Sequence, residues 1–287
     1  MLILLPPSEG KATPARRGRP VDLAALPHPE LAPVRAELLD ALALVSAGPG
    51  AAEALGLSPG LADEVARNVR LRTTPARRAI DVYTGVLYAA LDHATLSPAG
   101  RRRANRWVRV QSALWGPVAP TDPVVPYRLP MTATLPGVGT VAARWRAVLG
   151  PVMAGLAGDG LVVDGRSSSY ASVWRPTGVA AKAYVAVRVF SEVDGRRTVV
   201  SHAAKHTRGL VARWLCEADR TPRTPAALAA LVAEHRPCAL VADPRGGWFL
   251  DVDAPAAAAV VLHDTGERRA RGGVGVVPLI DAAASLA

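Results

Sequence analysis

Tyr184-Val185-Ala186-Val187-Arg188-Val189-Phe190 is followed by Ser191-Glu192-Val193, then Asp194-Gly195, and an apolar pattern resumes over Arg197 to Val200. Strand-forming residues on both sides of an Asp-Gly pair predict a β-hairpin, because that pair accepts the positive φ angles of a tight turn. Working outward, Leu161 to Val163 read as a compact apolar strand, and Leu2 to Leu5 as another, stopped by Pro6-Pro7. Ala239 to Val241, Trp248 to Val252 and Ala259 to His263 read as further short strands. Trp107 to Gln111 alternate like a strand, and the Pro-rich passage from Gly116 to Pro136 predicts an ordered, irregular loop. Helical spacing marks Glu30 to Val45, and helices are expected over 60–71, 75–92, 97–105, Val141 to Leu149, Ala203 to Ala218 and Pro225 to His235. One explicit hairpin among interleaved helices and strands gives the expected fold class, α+β, as a single compact mixed domain over 1–287.

Composition narrows the function. The chain has 287 residues, half of them hydrophobic and a fifth charged, which is the profile of an ordinary globular protein. Its formal net charge of +10 favours polyanionic partners, since each neutralised phosphate releases counterions. Two cysteines, Cys216 and Cys238, without Cys-x-x-Cys spacing exclude a disulfide scaffold and a zinc ribbon. The opening residues lack the pattern of a signal peptide, and no apolar run approaches a membrane span. A cytoplasmic protein with no membrane partner is the expectation.

Several segments carry candidate chemistry. Leu135-Pro136-Gly137-Val138-Gly139-Thr140-Val141-Ala142-Ala143 matches the hairpin of a helix-hairpin-helix element. Gly137 and Gly139 permit a tight turn, Val138 anchors it, and backbone N–H groups at the following helix start suit a phosphate. Arg144 adds charge nearby; the alternative is a Pro-Gly turn that merely opens a helix. Only Lys11, Lys182 and Lys205 are lysine among 34 basic residues, so a lysine marks a place where a titratable amine has a use, unless its presence is chance. Lys205 stands out, in Ser201-His202-Ala203-Ala204-Lys205-His206-Thr207-Arg208-Gly209. His202 and His206 share a helix face, yet no third ligand has recognisable spacing, so no metal and no cofactor are expected. Asp164-Gly165-Arg166-Ser167-Ser168-Ser169-Tyr170 leaves a strand end as a polar loop suited to a phosphate or a sugar, or is an Asp-Gly turn with a serine cap. Arg101-Arg102-Arg103 with Arg106 and Arg109 is the densest basic run, and Trp107 and Trp115 beside it are base-stacking candidates or simply core.

These segments together resemble the YaaA family over most of the chain. The resemblance rests on Met1 to Leu5 with Pro7 and Lys11, and on Asp81-Val82-Tyr83-Thr84-Gly85. It rests most on Arg109-Val110-Gln111-Ser112-Ala113-Leu114-Trp115-Gly116 with Pro120, Asp122, Pro126-Tyr127-Arg128-Leu129 and Met131. Asp164 to Tyr170 and Lys205 with Arg208-Gly209 extend it. Ala119, Pro130 and Ser169 depart from the family pattern, where many members carry an arginine, an acidic residue and an acidic residue, so chemistry needing those groups is not carried over. The resemblance implies a compact α/β fold, likened to a cantaloupe, with a helix-hairpin-helix element, a basic cleft that binds DNA, and a role in limiting oxidative DNA damage.

Two functions are therefore expected to compete. One is sequence-independent DNA binding, with phosphate held by Gly137, Val138 and Gly139 and a basic cleft of Arg128, Arg144, Lys205 and Arg208. The other is an enzyme acting on a nucleobase, nucleoside or nucleotide, with Lys205, Asp164 and Tyr170 as catalytic candidates. Lys11, Tyr83, Arg109, Tyr127, Arg166, Ser167 and His202 complete the pocket candidates, and DNA or a small phosphate-bearing ligand is the expected partner.

Overall fold

A computed structural model describes residues 1–193, 196–198 and 201–254. The Asp194-Gly195 turn, the strand expected at Ala259 to His263 and the basic run Arg268 to Gly273 lie outside the described residues. Eight strands form the main sheet: β1 (Leu2–Leu5), β2 (Val108–Ser112), β3 (Gly116–Val118), β4 (Val162–Asp164), β5 (Tyr184–Val193), β6 (Arg196–Thr198), β7 (Cys238–Ala242) and β8 (Trp248–Asp253). Their order is β7-β8-β5-β4-β1-β2-β3, with β6 paired to β5.

The expected hairpin is present, as β6 runs antiparallel to β5. It does not set the fold class. The strand it springs from is flanked by parallel neighbours: Val187 of β5 pairs Leu250 of β8, and Val185 pairs Val163 of β4. β1 is likewise parallel to β2 and to β4. The sheet is mostly parallel, with antiparallel pairs at its margins. The α+β expectation is corrected to a mixed α/β sheet, because the helical crossovers outweigh one local turn. β1 shows why: all four of its residues are buried, the continuous apolar run of a strand covered on both faces.

Six helices frame the sheet and its loops: α1 (Ala32–Ala47), α2 (Val86–Leu91), α3 (Pro98–Trp107), α4 (Val141–Ala157), α5 (Ser201–Glu217) and α6 (Pro225–Ala233). The helix expected over 75–92 is broken at Tyr83-Thr84-Gly85, where Gly85 takes φ 91°, and the helical segment expected over 60–71 is present as a short α-helix, Ala62–Ala66, flanked by 3-10 turns at Pro59–Leu61 and Arg67–Arg70. The passage Gly116 to Pro136 holds short strands at Gly116–Val118, Pro123–Val124 and Thr134–Leu135. Trp107, Trp115 and Trp145 are core residues, and the indoles of the last two donate to Val125 O and Ala113 O. Arg35, fully buried in α1, donates to the carbonyls of Trp115, His28 and Pro27 and so ties the N-terminal loop to the core. No helix among the described residues is long and apolar enough to cross a membrane.

α2 and α5 pack unusually closely. A Cβ on Gly209 would lie 2.1 Å from Leu87 O and 2.9 Å from Ala90 Cβ, so only glycine lets the two backbones meet. The glycine of the Lys205-x-x-Arg208-Gly209 pattern is thus explained by helix contact.

The helix-hairpin-helix element is not what forms at residues 134–143. Thr134–Leu135 pairs antiparallel with Gly139–Thr140, making a small β-hairpin that opens α4, and no helix precedes it. Gly137 and Gly139 do adopt positive φ, 74° and 81°, at an exposed tip. The N–H groups meant for phosphate are largely spent: Val141 donates to Ala133 O, Ala142 to Met131 O and Ala143 to Thr140 Oγ1. Val138 N–H donates to Leu135 O. A helix start whose first three amides are satisfied internally has little left to offer an anion.

Candidate functional site

The strand order reverses at the gap between β1 and β4. From β1 the chain reaches β2 on one side, while β4 lies on the other side and leads on to β5. Loops leaving the carboxyl ends of two such strands diverge, and that crevice is where open α/β sheets bind ligands. Here the loop after β1 is Pro6 to Lys11, the loop after β4 is Gly165 to Tyr170, and Ser112 ends β2 beside them.

The first loop is stitched to the Tyr-Thr-Gly break. Lys11 bridges Tyr83, Ala12 N–H donates to Val82 O, and Thr84 N–H donates to Ser8 Oγ. This places the Lys11 amine 2.8 Å from Ser8 O, 4.5 Å from the Tyr127 ring centre and 6.0 Å from that of Tyr83. Burial, then the neighbouring Arg128 charge, lower the Lys11 ammonium from 10.5 to about 7, against a smaller opposing pull from Glu64 and Glu9. Tyr127 Oη shares a hydrogen bond with Ser112 Oγ at 2.7 Å and accepts from Ala113 N–H. Tyr83 Oη is buried against the Ser112–Tyr127 hydroxyl pair, within hydrogen-bonding reach of both. Tyr88 stacks on Tyr83 at 5.6 Å and donates to Pro6 O. Burial raises all of these phenols, so they stay protonated.

Arg128 is mostly buried, bound by its guanidinium to Glu64 and to Glu9 O. Glu9 in turn pairs with Lys205 at 3.1 Å, so the expected cleft residues Arg128 and Lys205 do share a rim with Lys11. Tyr170 joins them beside the Met131 backbone, its phenol raised by burial and by Tyr127.

The second loop makes a rigid floor. Asp164 accepts from Arg166 N, Nε and Nη2 and from Tyr184 Oη, at 2.9, 2.9, 2.7 and 2.6 Å. Burial raises its carboxyl, but Arg166 and the hydrogen bonds outweigh that and hold it below the ordinary carboxylate value. A carboxylate so saturated and held below its ordinary value is a weak base. Among the described residues Arg166 Nη1 has no partner, and neither end of the buried Gln111 amide is paired. Ser167 shares a hydrogen bond with Ser169 and leads into the short helix Ser168–Ala171. Arg208 lies against Gly165 and donates to Val187 O.

Other candidates lie apart from this cluster. Arg109 folds back on the carbonyls of Asn105, Arg106 and Val108 at the end of α3, and so does not join the pocket. Arg144 pairs with Glu37 of α1 at 2.7 Å, and His202 is exposed. Burial pushes the Cys216 thiol up to about 12 and raises that of Cys238, which disfavours the thiolate of both. Among the described residues no group of three His, Cys, Asp or Glu side chains could hold a metal ion.

Sequence reasoning missed Ser8, Glu9, Ser112, Tyr88 and Tyr184. A compositional signal existed for the last two. The chain has five tyrosines, and all five gather around this crevice, although residues of their size would otherwise be scattered through the core.

A cleft of about 630 Å³ shares Tyr83, Thr84, Gly85 and Tyr88 with the site and is also lined by Arg78, His93 and Arg101.

The family described as "Peroxide stress protein YaaA" matches residues 1–235. A UPF0246 protein of Streptomyces coelicolor is 44% identical over 257 residues, covering 88% of this chain and 98% of that protein. UPF0246 proteins of Corynebacterium efficiens and Corynebacterium glutamicum are 40% and 38% identical, covering 78% and 83% of this chain and 88% and 96% of theirs. With its strand ends, tyrosines and lysine in place and relatives matching along nearly their full length, the chain belongs to the YaaA peroxide-stress family.

Proposed function

We propose that this chain serves its family's peroxide-stress role by acting on a nucleobase, nucleoside or nucleotide taken into the crevice between β1 and β4. The observation that carries the reading is the meeting of Lys11, Tyr83, Tyr127 and Tyr170 at the sheet's switch point, with Arg166 and Arg208 behind them. Phenol faces stack on a base, the Arg208 guanidinium takes a phosphate, and an amine near neutrality supplies acid–base or nucleophilic chemistry. The catalytic set shifts accordingly from Lys205 and Asp164 to Lys11, with Tyr170 retained at the rim.

Calorimetric titration with adenine, adenosine, AMP and dAMP at low salt tests this. Saturable binding of at least one is expected, and Tyr170→Ala should weaken it at least about fivefold, the loss of one stacking partner worth about 1 kcal/mol or more. No heat from any of the four ligands would remove the reading.

A second reading, sequence-independent DNA binding, rests on a different observation. Arg101, Arg102 and Arg106 are exposed on α3, and no carboxylate among the described residues pairs with them, in a chain of net charge +10. This surface, rather than the 134–140 hairpin, is the phosphate contact in that reading. Mobility shifts of a short duplex are expected at low salt and should fade steeply as salt rises. Replacing the three arginines by alanine should lower affinity about tenfold or more, each lost phosphate contact removing electrostatic attraction and salt dependence. Gly137→Ala should leave affinity within about twofold, because the adjoining amides are already bonded. A Gly137→Ala variant that abolishes the shift while the triple variant retains it would restore the hairpin as the contact.

A further inference from the structure

The three lysines of the chain occupy very different surroundings. Lys182 is exposed beyond β4, and Lys205 is half-exposed in an ion pair with Glu9. Lys11 has no carboxylate within ion-pair distance among the described residues; its amine is held by Ser8 O between two phenol rings, with Arg128 close by. An amine set against aromatic faces and a guanidinium, at a ligand crevice, is placed to attack rather than to pair. The rim also supplies what the addition of an amine to a carbonyl requires. Tyr83 Oη is a buried, protonated hydroxyl linked to Tyr127 and Ser112, on a ring whose centre lies 6.0 Å from the Lys11 amine.

We propose that Lys11 forms an imine with an aldehyde, specifically the open-chain sugar aldehyde of a nucleotide that has lost its base. This rests on the nucleotide reading of the same crevice and names its substrate class. The neutral amine adds to the carbonyl carbon, forming a C–N bond while a proton passes from nitrogen to the carbonyl oxygen. The carbinolamine then loses that oxygen as water on protonation from the Tyr83 side, the C=N bond forms, and the remaining proton on nitrogen returns to the Tyr83 oxygen. Amine and aldehyde give imine and water, with no oxidant or reductant consumed. A thiol has no part in this, since Cys216 is buried and its thiol is held protonated.

The test uses the full chain with sodium borohydride and two probes, an oligonucleotide bearing one abasic site and free ribose 5-phosphate, followed by peptide mapping. Reduction of the imine fixes a secondary amine. Adduct is expected on Lys11 at least tenfold above Lys182, Lys205 and the Met1 amine, with Lys182→Arg unchanged and Lys11→Arg losing it. A response to the oligonucleotide alone identifies DNA as the source of the aldehyde, and a response to both identifies any sugar phosphate. Adduct spread evenly over the lysines, or concentrated on Lys205, overturns the assignment.

Failure of the two readings is separable. AMP binding without adduct on Lys11 sinks the imine alone, whereas adduct on Lys11 without nucleotide binding sinks the nucleotide reading alone. Should Lys11→Arg not fold, competitive acetylation of the wild-type chain across pH decides. Lys11 should label half-maximally near the value of about 7 that its surroundings impose, and a Lys11 that labels near 10.5 like an ordinary lysine overturns the proposal.

Discussion

Asp164→Ala is expected to cost the fold about 3–5 kcal/mol, the penalty for leaving a buried guanidinium without its carboxylate. The Arg166 side chain has no exposure and the Asp164 side chain only 2%, so water cannot replace the lost partner. Four hydrogen bonds to Asp164 disappear together, and Arg166 is left with Trp174 O alone. Asp164→Asn should fall between the variant and the wild type, since it preserves shape and hydrogen bonding but not charge. The folded carboxyl titrates below its ordinary value of 3.8, so the unfolded chain binds its proton first on acidification. The stabilisation is therefore complete above that value and lost as pH falls through the lower folded one. Urea midpoints of wild type and Asp164→Ala should differ fully at pH 7 and converge in strong acid. Equal midpoints at pH 7 would show that the pair contributes nothing.

Gly209→Ala is expected to cost about 3 kcal/mol, the upper end for overpacking, because its methyl would meet a backbone carbonyl rather than a pliant side chain. Gly155→Ala is the contrast. That glycine lies exposed in α4 with nothing within 4 Å of its would-be Cβ, and its replacement should gain about 0.5–1 kcal/mol. Thermal melting of both variants checks the pair, and a Gly209→Ala variant as stable as wild type would mean α2 and α5 separate freely. Prising those helices apart also shifts Lys205 and Arg208, one turn and one residue before Gly209, so nucleotide affinity should drop along with stability.

Much of this fold is legible in the sequence because its strands are apolar and short. Leu2–Leu5, Val108–Ser112, Val162–Asp164 and Trp248–Asp253 fall within a residue or two of the expected segments. Parallel pairing is not legible, since a buried run such as Leu2 to Leu5 looks the same whichever way its neighbours point, whereas Asp194-Gly195 announces a turn in two letters. The spacing after Val141 predicts a helix that stops before Gly150-Pro151, yet it continues to Ala157 because Val152, Met153 and Ala157 are buried in the core. At the site, residue type marks Lys11, Tyr83, Tyr127 and Tyr170 as candidates, but their convergence depends on the order of strands. Roles are harder still. Asp164 looks like a base in the sequence and becomes a locked anion only once Arg166 and Tyr184 are seen to saturate it. The 135–143 glycines predict particular backbone angles, and those angles are present. What the pattern hides is the destination of the amides.

The gathering of every phenol ring around one crevice has an optical consequence. Trp115 stands edge-on to Tyr127 at 6.5 Å between ring centres, close enough to collect its excitation. Near-ultraviolet dichroism in the phenol band, and emission passed from those rings to the indole, therefore report on this single place in the molecule. Its filling or emptying is readable in solution without any label.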